Sequence, residues 1–229
     1  MKQIFTLPVF YTLLLLAPFI ASAQVLDKGF TAGVHLGAPQ GFTDVTESDV
    51  NGSFGAVVQY NITPFAFGNL EYSNGRLGRE ELDIYGKSYE NNFNRITATA
   101  NVSLGQFLKP ENSIAHYMLY NIYAGTGIGM IMSNISEPNA LTFDNFGGIT
   151  YKGTDFTVPV NLGFHFKIST YLYHDSPINF NVNLQHNFAF TEMLDGYDPT
   201  NSDNKTKDAF TVLNVGMKYS FASKRADSF

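Results

Sequence analysis

From residue 30 to residue 221 the sequence repeatedly alternates between two kinds of side chain, and one kind carries no charge. Taking every second residue gives Phe30-Ala32-Val34-Leu36, Phe54-Ala56-Val58-Tyr60-Ile62, Ala66-Gly68-Leu70-Tyr72 and Ile96-Ala98-Ala100-Val102-Leu104. The same reading continues with Ile122-Ala124-Thr126-Ile128-Met130 and Phe156-Val158-Val160-Leu162-Phe164-Phe166-Ile168. It ends with Phe180-Val182-Leu184-His186-Phe188-Phe190 and Leu213-Val215-Met217-Tyr219-Phe221. Successive side chains of a strand point to opposite faces, so each run reads as one strand with one apolar face. No helical period of any length competes with this pattern.

The opposite parity holds Thr31, His35, Gln59, Asn69, Thr97, Asn101, Asn161, His165, Asn181, Asn183, Gln185 and Asn214. All four charged residues of these runs, Glu71, Arg95, Lys167 and Lys218, fall on it, and only Thr126 and His186 are notably polar on the other. A lysine or arginine facing hydrocarbon at mid-depth costs about 2–4 kcal/mol, which is a reason to keep charge off one parity. A soluble sandwich covers its outward faces with lysine and glutamate; this polar face is asparagine, threonine and glycine. The pattern predicts an all-β fold, an eight-stranded antiparallel up-and-down transmembrane β-barrel with an apolar outside and a narrow polar lumen. Glu71 and Arg95, inward on adjacent strands, are expected to pair.

"YNIYAGTGIGMIM", residues 120–132, then needs a reading other than a phosphate loop. A dinucleotide fingerprint is G-x-G-x-x-G between a strand and a helix; here Gly125, Gly127 and Gly129 recur every second residue. They share the inward face, where they would make room for long neighbours such as Tyr123, Arg95 or Lys167.

The ends of the chain fit the same scheme. Lys2, an apolar stretch to Ile20 and Ala21-Ser22-Ala23 form a signal peptide over residues 1–23, cut between Ala23 and Gln24. The barrel is expected over 24–222 and a short periplasmic tail over 223–229. The chain has no cysteine, which excludes disulfides and thiolate metal sites. A net charge of −6 argues against a nucleic-acid partner. Long connections at 38–52, 74–91, 134–153 and 192–208 alternate with shorter ones at 63–65, 105–116 and 169–177, as in outer-membrane barrels. Aromatic residues sort by depth, with Tyr60, Tyr120, Phe166, Phe180, Tyr219 and Phe221 toward the inner interface and Phe54, Tyr72, Phe156 and Phe190 toward the outer one.

The last strand, "NVGMKYSF", resembles the C-terminal recognition motif of bacterial outer-membrane barrels, with Asn214, Gly216, Tyr219 and Phe221 at its positions. That resemblance implies insertion by the barrel-assembly machinery, although "ASKRADSF" follows the motif. With "FTVPVNLGFHFKIS" and "FTEMLDGYDP", the mature chain resembles the small outer-membrane barrels of Bacteroidota, OmpA-barrel-like or PorG-like. The resemblance implies an outer-membrane location in a Gram-negative cell, lipid as the surroundings and four long extracellular loops. It also implies a structural or interaction role with protein partners in the envelope, in some relatives as an accessory of the type IX secretion system. A narrow small-solute channel is the alternative, and a lipid-active enzyme a third reading.

No catalytic, cofactor-binding or metal-ligating residues are assigned. His174-Asp175-Ser176 sits in a turn of ordinary composition, and His35 and His165 face a lumen rich in asparagine. Asp195, Asp198 and Asp203 lack the spacing of a calcium loop and read as a solvated acidic loop.

Overall fold

A computed structural model describes residues 29–43, 48–79, 81, 88–109, 113–136, 151–167, 177–191, 193–196 and 207–221. Eight antiparallel strands close a barrel in chain order: β1 Gly29–Phe42, β2 Ser53–Asn61, β3 Ala66–Arg79, β4 Tyr89–Ser103, β5 Ile122–Ser136, β6 Tyr151–Lys167, β7 Ile178–Ala189 and β8 Ala209–Ser220. β8 returns to β1 along a seam from Thr31↔Ser220 to Phe42↔Ala209. The signal-peptide residues, Ala23 and Gln24 included, and the tail 223–229 lie outside the described residues, as does His174-Asp175-Ser176.

The faces divide as the alternation requires. Val34, Leu36, Phe54, Leu70, Ile128, Phe156, Leu162, Val215 and Phe221 are exposed on the outside, while Thr31, Gln59, Thr97, Asn101, Asn161 and Gln185 are buried within. The two polar residues on the apolar face are satisfied locally. Thr126 Oγ1 donates to Pro159 O at 2.9 Å, and His186 Nδ1 lies 2.7 Å from Thr211 Oγ1. Pro159 has no N–H to offer a ladder, and the β5–β6 register passes from Thr126↔Val160 to Gly129↔Thr157 without the two pairs between.

Three expectations need correction. First, β1, β3, β4, β5 and β6 run past the expected loop boundaries at the end away from the termini, here called the loop end. Toward the loop end, in these extensions and in the strand ends next to them, the parity rule inverts. Leu77, Tyr89, Phe93, Ile131, Ile135, Phe210 and Val212 are buried inside, while Asn92, Asn134 and Lys152 are exposed. A barrel that leaves hydrocarbon for water needs an apolar core and a polar skin, so a search for outward apolar residues stops where the strands do not.

Second, the connection between β4 and β5 contains a helix, α1, Ile114–Asn121. Ser113 caps it, its Oγ accepting from His116 N at 3.4 Å, and extended backbone resumes at Ile122. Two turns are too short to show a period. Tyr120, expected near the inner interface, belongs to this helix and is buried edge-on against Phe65, ring centroids 5.3 Å apart.

Third, the glycines of β5 make room first for β4 and Thr157 rather than for Tyr123 or Arg95; the Lys167 side chain lies outside the described residues. A Cβ at Gly127 would strike the backbone of Ala98 and Thr99; one at Gly125 would strike Ala100 O and the Asn101 side chain; one at Gly129 would meet Thr157 Oγ1 and Thr97 Cγ2. The run lets β5 lie close against β4. Tyr123 is accommodated by Gly163 across the β5–β6 ladder, where a Cβ would strike its ring.

Candidate functional site

The lumen is filled in three layers. At the loop end Leu77, Tyr89, Phe93, Ile131, Ala189, Leu194, Phe210 and Val212 form one buried apolar cluster. Leu194 comes from the connection before β8, and its N–H donates to Asp208 Oδ2 at 2.9 Å. Asn91 Nδ2 donates to Leu194 O at 2.9 Å and to Ser133 Oγ at 3.1 Å. The connection is thus tied into the barrel mouth. Asp195 is fully buried there with Asp208, so this part of the acidic loop is not solvated; Asp198 and Asp203 lie outside the described residues.

The middle layer is charged. Arg95 Nη2 donates to Glu71 Oε1 at 2.6 Å and Arg95 Nε to Ser73 Oγ at 3.0 Å. These side chains meet because Arg95 faces Ser73 in the β3–β4 register and Glu71 is the next inward residue of β3. His35 Nε2 lies 3.7 Å from the same Glu71 oxygen. The Arg95 guanidinium also sits over the Phe210 ring, 5.8 Å from its centroid, which joins this layer to the apolar one. Among the described residues Lys218 has no carboxylate oxygen within 4 Å, and its Nζ donates to Gln59 Oε1 at 2.8 Å. Gln59 Nε2 in turn donates to Asn61 Oδ1 at 2.6 Å. Lys167 aligns with Asn179 in the β6–β7 register, and its side chain lies outside the described residues.

His35, Asn69, Glu71, Asn181, Asn183, Asn214 and Lys218 line a cavity of about 10 Å³. His35 Nε2, Asn69 Oδ1, Asn183 Oδ1 and the side-chain amide N and O of Asn214 have no hydrogen-bond partner among the described residues. A space of that size with several polar groups around it suits one buried water.

The third layer, toward the termini, is aromatic. The His165 ring stacks on Tyr123 at 4.4 Å, and Phe67 meets both edge-on at 5.0 and 5.1 Å. Asn181 Nδ2 donates to Tyr123 Oη at 2.9 Å and lies 3.3 Å from His165 Nδ1. Both inward histidines are therefore built into packing, His165 among rings and amides and His35 beside Glu71.

The four residues of the C-terminal motif divide by face. Asn214 and Gly216 look into the lumen; a Cβ at Gly216 would meet Val34 O at 2.8 Å and His35 Cβ at 2.9 Å, so its glycine lets β1 and β8 close over His35. Tyr219 and Phe221 are exposed on the outer face, their rings edge-to-face at 5.1 Å. The sequence reading did not find the Lys218–Gln59 bond, the Phe67 layer or the apolar mouth. The available signal was apolar residues at inward positions 67, 77, 93, 131, 135, 210 and 212.

No family model matches the sequence, and no curated protein matches it. Among solved structures, Neisserial surface protein A superposes with a TM-score of 0.52 at 11% identity, over 86% of this chain and 99% of its own. This chain has the fold of an eight-stranded outer-membrane β-barrel. Ail, the attachment invasion locus protein of Yersinia pestis, matches with a TM-score of 0.45 at 12% identity, over 85% of this chain and 99% of its own. At these identities the likeness is one of fold.

Proposed function

We propose that the protein is an integral outer-membrane barrel with a structural or interaction role and a lumen that does not conduct. The observation that supports this best is the layered filling. An apolar cluster occupies one mouth and an aromatic layer the other, and the ion-paired middle leaves room for about one water. Eight strands enclose only enough space for side chains, and here large ones occupy it. The exposed apolar belt supports lipid as its surroundings, and the connections at the loop end are the parts offered to partners. The barrel-assembly machinery as the inserting partner is supported by the C-terminal motif. Membership of the Bacteroidota, PorG-like group and an accessory place in type IX secretion are the finest forms of the reading, and motif resemblance alone supports them. No enzymatic role is proposed, since the described histidines serve packing and the Glu71 cluster.

The test is conductance. Purified protein in planar bilayers is expected to give no large, steady current. Reproducible open steps of porin size would replace the structural reading with the small-solute channel.

A further inference from the structure

The β4–β5 connection at the end of the barrel that carries the termini exposes more apolar surface than a water-facing turn should. Phe107 is 77% exposed, and Leu104, Leu108, Met118 and Leu119 are exposed with it. The opposite side of α1 is firmly seated. Tyr117 and Tyr120 are buried, the rings of Phe65 and Tyr120 close over Gly105, and Asn121 Nδ2 donates to Tyr117 O at 2.9 Å. The exposed face is therefore fixed in direction by packing on its back.

What covers it is indicated by where it leads. Leu104 is the first residue past β4 and is exposed like Ala100 and Val102 before it, so the connection leaves the barrel beside the apolar belt. Ala115, Met118 and Leu119 are one face of α1 at i, i+3 and i+4, and the chain passes from Asn121 directly into extended backbone at Ile122. Ile122 is the first outward residue of β5 and aligns with Phe164, beside the stacked rings of Phe164, Phe166 and Phe180. The exposed apolar residues described in this connection thus lie between two outward-facing rows, beside the Phe164, Phe166 and Phe180 rings. Apolar surface fixed at that depth favours contact with lipid over contact with water.

We infer that α1 and the turn before it form a lipid-docking element that rests on the phospholipid of the inner leaflet through Phe107, Met118 and Leu119. This inference rests on the outer-membrane reading above. Because the chain has no cysteine, single cysteines can carry a nitroxide without a background to remove. Phe107→Cys, Met118→Cys and Leu119→Cys are labelled alongside Leu184→Cys in the belt and Asp49→Cys at the loop end. The protein is reconstituted in vesicles of phosphatidylethanolamine and phosphatidylglycerol, and oxygen and nickel-chelate accessibilities are read by electron paramagnetic resonance. The oxygen-to-nickel ratio at Met118 and Leu119 is expected to lie several-fold above that at Asp49 and to approach that at Leu184. A ratio at both positions no higher than at Asp49, with Leu184 in lipid, overturns the inference and leaves the face to a periplasmic protein partner. A water-like ratio at Leu184 itself overturns the membrane reading instead.

Discussion

Removing Arg95 probes the charged layer at its centre. The side chain is 1% exposed, and its loss deprives Glu71 of the 2.6 Å partner and Ser73 of its donor. What remains near the carboxylate is the His35 ring at 3.7 Å. A buried charge stripped of its partner costs about 3–5 kcal/mol, whereas replacing both partners by neutral groups of similar size is often close to neutral. Arg95→Met is therefore expected to destabilise the barrel by about 3–5 kcal/mol, and Arg95→Met with Glu71→Gln by clearly less than the single change. Glu71→Gln alone leaves the buried Arg95 guanidinium without its carboxylate and should also cost more than the double. The chain has no tryptophan, so unfolding is best followed by far-ultraviolet circular dichroism against urea in detergent, with heat-shifted gel mobility as a second probe. If the double variant loses the sum of the two single losses, the pair contributes nothing as a pair and the reasoning fails.

Two glycines should behave differently. Gly127→Ala drives a methyl into the β4 backbone, which cannot yield without opening the ladder, whereas Gly163→Ala meets only the Tyr123 ring and costs about 1–3 kcal/mol as overpacking. Shortening the ring with Tyr123→Leu is expected to recover part of the Gly163→Ala loss and none of the Gly127→Ala loss in the same urea titration. Phe221→Asp places a charge on the lipid-facing parity and removes an aromatic anchor, so heat-modifiable barrel in outer-membrane fractions should fall sharply. Phe229→Asp, beyond the motif, should leave it near wild type, and a reversal of the two would relocate the assembly signal.

The barrel was legible because hydrocarbon is an unforgiving neighbour. It keeps Glu71, Arg95 and Lys218 on one parity, and a one-residue step flips every side chain, so strand count and facing follow from that constraint. Inside, the constraint is weaker. Arg95 meets Glu71 because register and parity leave little choice, yet Lys218 crosses to Gln59 for reasons of reach that no spacing displays. The apolar mouth escaped because Leu77, Phe93 and Phe210 obey the opposite rule, that of a water-surrounded core, and α1 escaped because its buried Tyr120 packs against Phe65 and Gly105, outside the helix, as well as against His116 within it.

The seam between β1 and β8 carries twelve register pairs, against nine between β1 and β2, and beyond it Phe221 N donates to Phe30 O at 2.8 Å. The first and last described strands are thus better joined than two that are consecutive in sequence, and their free ends touch. In geometry the molecule is a ring, and the position of its cut is arbitrary. A chain whose ends are linked there and reopened in a connection at the loop end would retain every ladder, and such permutations succeed at exposed connections. It would carry Phe221 in mid-chain; it is expected to refold in detergent, and its level in the outer membrane would test whether the proposed assembly signal works from that position.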